Sequence, residues 1–102
     1  MRQRTVNFSP SARSDLVAVF DYVTSVAGIS VAKNYVDRIE TFIMNLDIAS
    51  ERGRLRDDIR SGLRVVGFEK RLVVAFKVDE NRVTILRVLS RGQNWQEILK
   101  DE

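Results

Sequence analysis

The sequence contains no cysteine and no histidine among its 102 residues. The first absence excludes a disulfide framework and any thiolate metal site. The second removes the commonest general acid/base near neutral pH, and with both residue types missing, zinc sites built on them are excluded. No apolar run approaches the roughly 18 residues that a membrane-spanning helix needs. The start, Met1 to Phe8, carries basic residues but no apolar stretch of the kind a secretory leader has, so a soluble, cytoplasmic protein is expected.

What is present is charge, unevenly spread. The net charge is +3. Between Arg52 and Arg91 there are eleven basic and five acidic side chains, a net of +6, so the remaining residues carry −3. Such a polarised basic half favours an acidic partner: nucleic acid, a nucleoprotein machine or an acidic protein. The plainer alternative is an arginine-rich surface that serves solubility. With 44% hydrophobic and 30% charged residues the chain has the composition of a folded protein, and its length is that of one domain spanning 1–102.

Residues 4–8 alternate, with Val6 and Phe8 on one face, as in a short strand. Ser9 can cap a helix, and Pro10 suits its first position. Ala12, Leu16, Phe20, Val23 and Ala27 recur at helical spacing, widened by Val19 and Val26, and Gly28 suits the C-terminal cap. A second helix, capped by Ser30, has the stripe Tyr35, Ile39, Phe42, Ile43 and Leu46. A tight turn at Gly28 and Ile29 makes the two an antiparallel hairpin. Ser50 to Gly62 reads as an exposed, arginine-rich loop.

From Leu63 the period changes. Leu63–Phe68, Leu72–Val78 and Val83–Leu89 are rich in β-branched and large apolar residues and are joined by short polar turns, which predicts a three-stranded antiparallel meander. Leu72, Val74, Phe76 and Val78 share one face of the middle strand, and Val73, Ala75 and Lys77 the other. One face should pack on the hairpin and the other be covered by a partner. Asn94 and Glu97 have capping-box spacing, with Trp95, Ile98 and Leu99 suited to a short terminal helix. The expected class is α+β, with helices on one face of a small sheet.

This order of elements resembles the RelE/ParE superfamily over roughly residues 4–99. The resemblance rests on Arg71-Leu72-Val73-Val74-Ala75-Phe76-Lys77-Val78 followed by Val83-Thr84-Ile85-Leu86-Arg87-Val88-Leu89, preceded by Gly62-Leu63-Arg64-Val65-Val66 and followed by Gly92-Gln93-Asn94-Trp95. The opening Phe8-Ser9-Pro10, with Ala12, Asp15 and Leu16, is similar to ParE-like chains. The resemblance implies a toxin of a bacterial type II toxin–antitoxin system, held silent by a cognate antitoxin in a hetero-oligomer. ParE-like members are described as DNA gyrase inhibitors, and RelE-like members as nucleases that cut mRNA on the ribosome. No cofactor, metal or membrane enters either activity.

Cutting RNA through its 2′-hydroxyl needs a base, an acid and cations for the charged phosphorane. Arg64, Lys70, Arg71 and Arg87 could serve a nuclease. The acid and base are poorly supplied: Ser90 and Trp95 stand where many relatives carry histidine or tyrosine, and Tyr22 and Tyr35 lie on the predicted helices. Glu69 is at most a substitute. The ParE-like reading, which needs no catalytic residue, is therefore preferred. A superfamily member without toxicity, serving only as an antitoxin partner, is a third alternative. For target or antitoxin binding the candidates are Arg64, Arg71, Arg87, Arg91 and Trp95. Arg87, placed by alternation with Val83, Ile85 and Leu89, is either such an anchor or paired with a helix acid such as Asp15 or Asp21. Trp95 either joins Arg91 in a binding hot spot or closes the core edge. Arg52, Arg54, Arg56 and Arg60 read as solvated loop cations.

Overall fold

Ser9 begins the first helix as its sequence context predicts. Its Oγ accepts the backbone N–H of Ala12 at 3.0 Å, and Pro10 occupies the first turn. The same hydroxyl donates to the Leu86 carbonyl at 2.8 Å, and the Ser9 N–H donates to the Ile85 carbonyl at 2.9 Å, so the cap also fastens the helix start to a distant strand. The structure, a computed structural model, describes residues 4–47 and 53–101.

The elements run β1 (Thr5–Phe8), α1 (Pro10–Ala27), α2 (Ile29–Met44), a 3-10 turn (Asn45–Asp47), β2 (Arg54–Leu55), β3 (Arg64–Phe68), β4 (Leu72–Val78), β5 (Arg82–Ser90) and α3 (Trp95–Lys100). Gly28 alone separates α1 from α2, at φ 95°. That conformation, open to glycine without a Cβ penalty, lets one residue close α1 and open α2. Ser30 therefore lies inside α2 rather than capping it, and the turn is tighter than expected. Ile39, Ile43 and Leu46 are fully buried, while Tyr35 and Phe42 pack against the same core, as the stripe predicts. On α1 the expected stripe fails at its C-terminal end, where Val26 is 63% exposed and Ala27 is also exposed.

The meander β3–β4–β5 is present and antiparallel. Two further strands extend it to the order β1-β5-β4-β3-β2. β1 runs parallel to β5, from Thr5 opposite Arg82 to Phe8 opposite Ile85. β2 lies within the segment expected to be an exposed loop and pairs Arg54 with Val65 and Leu55 with Arg64. A two-residue edge strand among arginines has no periodicity to betray it. It is held in place by Gly53, which is buried: a Cβ there would lie 2.8 Å from the Phe76 ring and 2.9 Å from the Val65 carbonyl. Gly53→Ala should therefore cost about 1–3 kcal/mol through overpacking. This would show as a melting temperature lower by about 4–8 °C per kcal/mol, and an unchanged melt would refute the close approach.

The β4–β5 ladder shifts by one residue. Phe76 opposes Ile85 but Ala75 opposes Arg87, leaving Leu86 as the extra residue of a bulge. Val83, Ile85 and Val88 join Leu72, Val74 and Phe76 beneath the helices, whereas Leu86 and Leu89 join Val73 and Ala75 on the opposite face. Strict alternation, which put Arg87 with Val83, Ile85 and Leu89, fails at this point. The opposite face is not left for a partner. Trp95, Ile98 and Leu99 of α3, with Ile59 and Leu63 of the preceding segment, cover it. Asn94 sits at the α3 start but makes no side-chain capping bond, so the expected capping box does not form. Among the described residues no helix is long and apolar enough to cross a membrane.

Candidate functional site

Past Ile85 the outer edge of β5 has no strand beside it, because β1 ends at Phe8. α1 takes over that edge through Asp15. Its Oδ2 accepts Arg87 Nε at 2.8 Å and the Val88 backbone N–H at 2.8 Å, and its Oδ1 accepts Arg87 Nη2 at 2.9 Å. The two side chains are 21% and 13% exposed. This is a forked, charge-assisted contact in a partly desolvated position. Of the two alternatives open for Arg87, the structure supplies the paired one, with Asp15 as the acid.

The remaining candidates are spread over three places. Arg64, half-buried on β3, donates from Nη1 to the Gly53 carbonyl at 3.1 Å. Lys70, Arg71 and Arg91 are exposed at the far end of the β4–β5 ladder. Trp95 is half-buried on α3. The cation over its ring is Arg56, at 5.5 Å from the ring centre, not the Arg91 suggested by proximity in sequence. Arg56 also forks Asp58 at 2.9 and 2.8 Å. The hydrogen bond from Arg56 is the main reason the Asp58 carboxyl lies below its usual range. Arg54 is exposed on β2 and Arg60 is half-buried, whereas Arg52 lies outside the described residues.

The turn between β3 and β4 has its own geometry. Glu69 and Lys70 both take positive φ, 50° and 60°, conformations that side-chain-bearing residues seldom adopt. Arg38 on α2 holds this turn with two bonds to Glu69, 2.9 and 3.0 Å long. That hydrogen bonding is the largest cause of both the lowered Glu69 pKa and the raised Arg38 pKa. Glu69 therefore stays ionised, and the contact formed, until pH falls below the ordinary carboxylate range. Tyr35 lies 6.2 Å from Phe68 between ring centres and beneath Arg38. Burial first, then the Glu69 charge, raises its hydroxyl pKa, so Tyr35 is protonated at neutral pH. Beside the turn is an open groove of about 410 Å³, lined by Asp37, Arg38, Phe42, Asn45, Phe68 and Glu69. Sequence reasoning passes over Arg38, because a surface arginine carries no mark of a partner 31 residues away, and it reads Arg56 as a solvated loop cation without its contact to Trp95. Among the described residues no group of three acidic side chains is placed to hold a metal ion.

A helical hairpin on one face of this mixed sheet, with a terminal helix on the other, is the RelE/ParE toxin fold. A chromosomal ParDE toxin–antitoxin structure from P. aeruginosa superposes with a TM-score of 0.76 at 22% identity, covering 86% of this chain and 96% of that one. The RelBE2 toxin–antitoxin complex of Mycobacterium tuberculosis gives 0.66 at 22% identity, covering 87% and 99%. Sequence narrows the class. The family described as ParE toxin of type II toxin–antitoxin system, parDE, matches residues 6–95. Toxin ParE3 of Caulobacter vibrioides is 35% identical over 80 residues, 78% of this chain and 79% of that protein. The chain belongs to the ParE toxin family of type II toxin–antitoxin systems.

Proposed function

We propose that this toxin inhibits DNA gyrase by binding it, without bond-breaking chemistry of its own, and that a cognate antitoxin in the same cytoplasm silences it by forming a hetero-oligomer. Family membership supplies the ParE-type class, and the two solved relatives come from a ParDE system and from a RelBE2 toxin–antitoxin complex.

The observation that carries the binding reading is the dispersal of the cations. A nuclease of this size would have to converge Arg64, Lys70, Arg71 and Arg87 on one phosphate. Arg87 is instead committed to Asp15, and Arg64 to the Gly53 carbonyl. Arg64 opposes Phe76, five positions along β4 from Arg71. At about 3.3 Å per residue that separation is roughly 17 Å. The side chains best suited to proton transfer are not gathered with these cations: Tyr35 packs beside Phe68 under Arg38, Tyr22 is exposed on α1, and the sequence has no histidine.

The test is plasmid supercoiling by gyrase in the presence of the purified chain, beside a ribosome-programmed mRNA cleavage control. Loss of supercoiling or accumulation of cleaved DNA, with intact message, is the expected result. Intact gyrase activity with cut message would replace this reading with ribosome-dependent mRNA cleavage. No effect in either assay, together with harmless overexpression, would leave an antitoxin-binding protein without toxicity.

A further inference from the structure

The β4–β5 ladder closes at Leu72 opposite Ser90, and one step further the Arg91 N–H donates to the Arg71 carbonyl at 2.8 Å. Arg71 and Arg91 are thus cross-strand neighbours of like charge, an arrangement that is unfavourable without a counter-ion. Lys70 stands next to them in the turn, fixed at φ 60°. The acid beside them, Glu69, has both oxygens taken by Arg38. The side chains of Lys70, Arg71 and Arg91 make no hydrogen bond or ion pair among the described residues; Lys33, Arg54, Arg60 and Lys77 share that trait, but Lys70, Arg71 and Arg91 meet at one strand end. Glu69, whose charge Arg71 feels, is thus shared with Arg38, and three cations meet at one strand end with less than one acid between them.

From this corner we infer a contact surface for the phosphodiester backbone of duplex DNA, formed by Lys70, Arg71 and Arg91, through which the toxin meets gyrase on DNA rather than gyrase alone. The inference rests on the gyrase reading. Charge without exposed apolar surface is what selects this ligand. The apolar neighbours Phe68, Leu72 and Leu89 are 6%, 5% and 2% exposed, so a docking peptide would find nothing to bury. The adjoining groove is lined by the Arg38–Glu69 pair and by Asp37 beside Phe42 and Phe68, so it adds no further free cation for an acidic segment. Backbone phosphates need only cations at fixed positions, and they release counter-ions when neutralised.

The experiment is fluorescence anisotropy of a labelled duplex with the purified chain, without gyrase, across a salt series. It compares wild type with the triple variant Lys70→Gln, Arg71→Gln, Arg91→Gln. A control, Lys33→Gln, Arg54→Gln, Arg60→Gln, removes equal charge elsewhere, and circular dichroism verifies that all three are folded. Wild type should bind weakly and salt-dependently, and the corner variant should lose about 2–3 units of the log–log salt slope while the control loses far less. Equal losses in the two variants would mean net charge alone acts, and would overturn the inference. So would tighter binding of single-stranded RNA or a polyglutamate peptide than of duplex, or full gyrase inhibition by the corner variant. Duplex binding is read without gyrase, so its failure leaves the gyrase reading standing, and the supercoiling assay judges that reading separately.

Discussion

Asp15→Ala should lower the unfolding free energy by about 2–3 kcal/mol, somewhat below the cost of breaking a fully buried pair because both side chains retain some exposure. The carboxylate accepts three hydrogen bonds, two from Arg87 and one from the Val88 N–H. Its loss removes the forked acceptor of the Arg87 guanidinium and leaves the Val88 N–H without that acceptor, on the edge of β5 that β1 does not reach. Arg87→Ala should be similarly costly, because the carboxylate is then left without its cation. The double substitution should cost much less than the sum, since neither leftover charge remains. Urea denaturation of the four proteins measures the cycle. Additive losses would show that the pair is not coupled.

Leu99→Ala should cost about 2–5 kcal/mol and also make the protein self-associate. α3 has six residues, too few to persist as a helix by itself, and it is held by Trp95, Ile98 and Leu99 against the sheet. Removing the fully buried side chain loosens the cover over Leu63, Val65, Val73, Ala75 and Leu89. An apolar sheet face of that extent does not stay solvated. Sedimentation velocity across a concentration series, paired with a thermal melt, reads both effects. A monomer with an unchanged melt would show that α3 is not what covers that face.

The periodic parts of this fold are legible in its sequence. The stripe on α2 and the three apolar runs after Leu63 announce a helix and a meander because burial imposes a repeat on the residues. β2, the Leu86 bulge and the parallel pairing of β1 with β5 are not legible, because each depends on a partner far along the chain and imposes no repeat. The same difference governs the site. A lone arginine in an apolar strand signals that Arg87 needs a counter-charge, but choosing Asp15 over Asp21 requires knowing where β1 stops. Two apolar faces on β4 suggested an outside partner, and the cover turned out to be a six-residue helix whose own pattern was too short to assign a direction. Arg56, read as a solvated loop cation, sits over Trp95 because β2 folds that loop back onto β3.

The pairing of β1 with β5 also sets a schedule for synthesis. Val6 lies beside Val83, and Ser9 caps α1 while bonding to Ile85 and Leu86. Until β5 has emerged from the ribosome, the first strand has no sheet to join and Asp15 has no Arg87. Translation at about 5–20 residues per second keeps the nascent chain in that state for several seconds. A message truncated before β5 then yields a polypeptide missing the central strand between β1 and β4, which cannot close the core. The folded core thus exists only once β5 has been made, and a frameshift anywhere before β5 is enough to prevent it.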